Sequence, residues 1–303
     1  MKYHTLLLYG LCLLSMTACG GEDELTAIPD TMTDCFAPDP NATDDESILR
    51  YQFYQTEKCY LLFNDTLRHV KQGTDFNGDD YYFTETLDMG YNLGSNTSTI
   101  INTYTYEYLQ TFEEKKAAAV FLQEYVLPHL PASLRPFSWF AIYSISNNSD
   151  FTFPEVVTGQ RSVAIAVGYS LESMTTEEKK TLATTILTAT LGSSLQAQEK
   201  ALTPFYDICD GLYEGDFTID DPEDEDLNMK ALNEAGFIVK GLFWGMFPVT
   251  QVYPSKTQDQ ASFTQLVMNH TQQEIEELYA EFPKVVEKAR ILREVITELG
   301  YIY

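Results

Sequence analysis

TTEEKKTLATTILTATLGSSLQ, Thr175 through Gln196, reads as one amphipathic helix and fixes the plan of the chain around it. Thr175 followed three residues later by Glu178 is a capping-box pattern, in which hydroxyl and carboxylate each accept a backbone N–H that the first turn leaves unpaired. Leu182, Ile186, Leu187, Leu191 and Leu195 then recur at helical spacing and form a stripe that must be buried. Upstream, Phe137 to Ile145 and Ser162 to Gly168 read as strands, the second an almost unbroken apolar run of the interior kind. Before them, a helix from Phe112 to about Leu127 is stopped by Pro128 and Pro131. Downstream, the acidic run Asp220 to Asp226 reads as a solvated loop leading into a helix. A helix from about Thr257 to Asn269 follows, and Thr271 with Glu274 forms a second capping box. The last helix starts at Pro283, buries Val285, Ala289, Leu292, Ile296 and Leu299, and ends at Gly300. The pattern predicts an α+β domain over residues 107–303, with a small mixed sheet, a central helix and a helical C-terminal part.

Residues 47–106 carry β-type runs, Cys59 to Phe63, Tyr81 to Leu87 and Thr99 to Tyr106, separated by Gly and Asn clusters. Asp75 to Asp80 has the alternating oxygens of a calcium loop, but its Gly sits two places early and Thr86 occupies the twelfth place, so it reads as a turn. Residues 19–46, rich in Asp, Thr, Pro and Ala, read as an acidic flexible tether. Residues 1–18 hold Lys2, the apolar run Leu6 to Leu14 and small residues up to Cys19, the pattern of a secretory signal with a lipobox. Its similarity to bacterial lipoprotein signals implies that Cys19 is lipidated and anchors the protein to the outer membrane. Glu22, Asp23 and Glu24 just beyond resemble the export tag of Bacteroidetes surface lipoproteins, which implies the extracellular face.

The formal net charge is −26, with 45 acidic against 19 basic residues. Such a surface repels phosphate backbones, which excludes nucleic acid as a partner. Of the five cysteines, Cys12 lies in the signal and Cys19 is the expected lipid site. Cys35, Cys59 and Cys209 remain, with Cys35 and Cys59 the nearer pair if a disulfide forms and three thiols otherwise.

From about residue 105 onward the chain resembles a family of Bacteroidetes zinc metallohydrolase lipoproteins, zincin-like and associated with SusC/SusD-type importers. Thr185, Ile186 and Gln196 frame the helix that carries His-Glu-x-x-His in the family; Gly236, Phe237 and Ile238 match its Gly-Phe-Val segment; Phe263 sits where its late acidic stretch lies. Two imidazoles four apart on a helix can grip one zinc while the Glu between them takes a proton from metal-bound water. Here Thr188 and Gly192 stand at the two His positions, Ala189 at the Glu and Gln265 at the late carboxylate. None of these groups can hold zinc adequately. The resemblance with those losses implies a degenerate member, without metal, cofactor or catalytic residues, that accompanies a SusC/SusD-type nutrient importer and binds or scaffolds a peptide or protein-derived ligand.

His69, His129 and His270 show no ligand spacing, and Gly192, Ser193, Ser194 lacks a nucleophile elbow. Gly241 to Val249 is a loop rich in large apolar groups, in which Phe243, Trp244 and Phe247 either fill the vacated cleft or contact a partner or ligand. A glycan-binding surface lipoprotein is the alternative, for which the 20 tyrosines would supply platforms where Trp is scarce. A hydrolase with a site assembled from distant residues is a further one.

Overall fold

Ser138–Ile142 is buried at every position, as expected of a strand covered on both faces, and it lies in the middle of the largest sheet. The computed structural model describes residues 34–90, 103–168, 171–217, 224–241 and 251–303, and residues 36–303 form one compact α+β unit. In chain order the first part holds helix α1 (Asp45–Glu57) and strands β1 (Tyr60–Leu62), β2 (Thr66–Thr74), β3 (Asp80–Thr86) and β4 (Tyr104–Glu107). Helix α2 (Phe112–Phe121) leads to strands β5 (Ser138–Ile142), β6 (Ser144–Asn147), β7 (Val156–Thr158) and β8 (Ser162–Ala166). Then come helices α3 (Thr176–Gln196) and α4 (Glu199–Asp207), strand β9 (Asp216–Phe217), helix α5 (Glu225–Ala235) and strand β10 (Gln251–Val252). Helices α6 (Lys256–Asn269), α7 (Gln272–Leu278) and α8 (Pro283–Glu298) complete the order.

The four-stranded sheet runs β1-β5-β8-β7; β1 and β8 lie parallel to β5, and β7 is an antiparallel edge strand. Trp139, Ala141, Val163 and Ile165 point to the face that α3 covers with Leu182, Ile186, Leu187, Leu191 and Leu195. Phe140, Ile142 and Ala164 point to the other face and pack with Tyr60, Leu62, Leu87 and Met89. Each fully buried Leu or Ile of the α3 stripe contributes roughly 1.5–3 kcal/mol.

The helix ends follow their caps. Thr175 with Glu178 and Thr271 with Glu274 close full capping boxes, as the spacing predicts, and Pro283 opens α8. Two further boxes, Thr111 with Glu114 and Ser255 with Gln258, start α2 and α6. Gly300, at φ 95°, turns the chain out of α8 in the left-handed region that favours glycine.

Several expectations are corrected. Residues 45–57, part of the stretch taken as tether and β-rich segment, form α1, capped by Asp44 and ended by Lys58 in the left-handed region. Only Phe53 of α1 is buried, so the helix has little periodic signal; its caps and the acidic first turn of Asp45 and Glu46 are what mark it. Phe36 is buried too, so packing begins before residue 47. The helix expected to reach Leu127 is α-helical only to Phe121, then widens to a π-turn over Leu122–Val126 and tightens to a 3-10 turn over Leu127–His129. Pro128 has no N–H to continue the α ladder. The strand expected from Phe137 to Ile145 is two: at Tyr143 the chain leaves β8 and passes into β6, which pairs with β4.

β2 and β3 form a hairpin on their own, exposed along most of both strands. Tyr82 stacks on His69 at 4.6 Å, the Arg68 guanidinium lies 4.9 Å over Phe83, and a Cβ at Gly73 would come within 3.2 Å of the Tyr81 ring. Such cross-strand pairs hold a ribbon that, among the described residues, pairs with no further strand. Its tip is the Asp75 to Asp80 segment, where the Asp75 carboxylate accepts the N–H groups of Asn77 and Asp79. That is the expected turn.

A cleft without a metal-binding set

Helix α3 buries its leucine stripe on the sheet and turns its other side toward a cleft of about 640 Å3. Ala189, Gly192, Ser193 and Gln196 form the helix wall, and Thr158, Gly159 and Gln160, where β7 turns into β8, form the opposite one. The Thr158 hydroxyl donates to the Ala189 carbonyl at 3.4 Å and ties edge strand to helix. A Cβ built on Gly192 would meet nothing within 4 Å, so that position opens onto free space. Thr188 is turned the other way, its hydroxyl against the Met268 sulfur on α6 at 3.5 Å. Gln265, one turn before Met268, is exposed. The structure therefore brings Ala189 and Gly192 to one wall and puts Thr188 on the α6 side.

The histidines do not meet there. His69 sits on the hairpin, paired with the Thr84 hydroxyl; His129 stacks on Tyr301 and contacts the Ile302 carbonyl; His270 caps the end of α6. Among the described residues no three His, Cys, Asp or Glu side chains are grouped as a metal would need. Cys59 is buried, which pushes its thiol up to about 11, away from nucleophilic reactivity. Among the described residues no disulfide joins Cys35, Cys59 or Cys209.

Strand β7 reaches the cleft at its last residue, Thr158. Among the described residues it pairs only with β8, leaving its outer main chain without a strand partner. Because the Gly159 N–H bonds the Ser162 carbonyl, strand alternation turns the Thr158 N–H outward. The strand is not among those read from the sequence. Its signal was weak, since three residues, Val156–Thr158, carry too little alternation to read.

A second concavity, about 700 Å3, opens where β6 leaves β8 at the C-terminal ends of β5 and β8. Tyr143, Phe153, Met174 and Leu182 line it with Glu107 and Glu155. Cys19, Phe243, Trp244 and Phe247 lie outside the described residues. Among the described residues no helix is long and apolar enough to cross a membrane.

No family model matches the chain, and neither the curated proteins nor the solved structures contain a match to it.

Proposed function

We propose that this protein is a non-catalytic, lipid-anchored surface lipoprotein with a zincin-like domain, an accessory of a SusC/SusD-type importer that binds peptide or protein-derived ligands. The observation that carries the reading is one cleft in which the Thr158 end of β7, an edge strand without an outer strand partner among the described residues, stands beside a helix wall made of Ala189, Gly192, Ser193 and Gln196. An extended peptide adds to such an edge through main-chain hydrogen bonds, which demand little of its sequence. The opposite wall offers no imidazole or carboxylate to activate water against it. The lipobox at Cys19 and the acidic residues after it support the anchor and the outward location.

Thr158→Pro tests the cleft, because it removes an outward N–H without touching the bond from Gly159 to Ser162, and Thr158→Val, which loses the hydroxyl tie to Ala189 but keeps the N–H, is its control and is expected to bind. Immobilised protein is expected to retain peptides from a digested, denatured protein, and the Thr158→Pro variant to lose them. If both forms let the digest through, the peptide reading fails. Stoichiometric zinc in the purified protein would instead restore a hydrolase.

The hairpin favours a second reading. Tyr81, Tyr82 and Phe83 are exposed along it and Phe76 stands 96% exposed at its tip, aromatic surfaces of the kind that stack on sugar rings. Retention of oligosaccharides that Tyr82→Ala abolishes and Thr158→Pro leaves intact would select the glycan-binding lipoprotein.

A further inference from the structure

The C-terminal helices close around a charge pair that no part of the cleft uses. Lys288 on α8 and Asp259 on α6 are both fully buried, with Nζ 2.6 Å from Oδ2 and 2.8 Å from Oδ1. The ammonium also donates to the Gly236 carbonyl at 2.9 Å, and Tyr213 donates its hydroxyl to Asp259 Oδ2 at 2.8 Å. The rings of Phe205, Phe263 and Phe237 stand 4.5, 4.6 and 4.7 Å from Nζ. The amine and carboxyl are thus pressed together, the amine oriented by Gly236, with aromatic rings where solvent would be.

We propose that Lys288 and Asp259 condense into an intramolecular isopeptide bond that ties α6 to α8. Burial holds the Asp259 carboxyl above its ordinary value, and the first step of the condensation is transfer of a proton from Nζ to that carboxyl across the short contact. The Nζ lone pair then attacks Cγ, and Tyr213 holds the oxygen on which negative charge collects. The bond from Cγ to one carboxyl oxygen breaks, and that oxygen leaves with two of the three original ammonium protons as water. An amide N–H and C=O remain. Atoms and charge balance without any oxidant or co-reactant, and the dry, ring-lined site opposes the return of water.

The test is a tryptic digest of the full chain after denaturation. Condensation blocks cleavage after Lys288 and joins the segment Val285–Arg290 to the segment Thr257–Lys284, so the product gives fragment ions from two N-termini. Recovery of that branched peptide is the expected result. Release of Val285–Lys288 as a free linear peptide, from protein kept folded through prolonged incubation, would overturn the proposal. Tyr213→Phe keeps the ring packing and removes only the hydroxyl; it is expected to slow the appearance of the branched peptide more than it lowers the melting temperature. An unchanged rate in that variant would overturn the role of Tyr213. Asp259→Ala is expected to give no branched peptide, and if it does not fold, the digest of the native chain decides alone.

Discussion

The cleft wall of α3 and the centre between α6 and α8 are opposites in chemistry. At Ala189 and Gly192 a helix presents methyl and hydrogen to about 640 Å3 of open space. At Lys288 and Asp259 two helices press opposite charges into a site with no exposure at all. The open wall presents no ionisable side chain, and an amine and a carboxyl crowd where no space is open at all. A concave site therefore has to be judged by the groups it presents and not by its shape.

The sharpest break of this contrast is Lys288→Ala. It leaves the Asp259 carboxylate buried with neither cation nor cross-link, and the expected cost is at least roughly 3–5 kcal/mol, the value for a broken buried ion pair, read from the denaturant midpoint. An unchanged midpoint would mean that the centre is not closed to water. On the sheet side of α3, Leu191→Ala removes a fully buried side chain and is expected to cost about 2–5 kcal/mol. One residue on, the sign reverses: Gly192→Ala adds a methyl that meets nothing, and relief of glycine's entropy cost in the helix is expected to stabilise by about 0.5–1 kcal/mol. A destabilised Gly192→Ala would show that the wall is not open.

The smallest effect is a pH dependence that neither region supplies. In Glu114, Glu178 and Glu274 the backbone N–H groups of Thr111, Thr175 and Thr271 hold the carboxylates below their ordinary values. A folded value below the unfolded one means stability that is complete above about pH 4.3 and is lost as pH falls through the folded values. Acid titration of helicity should show this loss, and Glu178→Gln, which removes the titrating carboxylate, should abolish it for α3. A titration that is flat down to the folded values would contradict the boxes.

What the sequence determined by itself is local. The capping boxes at Thr175 and Thr271, the leucine stripe of α3, and Pro283 and Gly300 at the ends of α8 were all legible, because a helix writes its pattern within a few residues. α1 escaped for the same reason, since a helix that buries one side chain leaves almost no period to find. Only the tertiary structure decided what depends on distant partners. It made β7 an edge, sent the chain at Tyr143 from one sheet to another, turned Thr188 away from Gly192's open side, and set Lys288 against Asp259 across 29 residues. Nothing in a lysine, or in the residues beside it, records which carboxylate will share its dry site; that follows from how α6 and α8 pack.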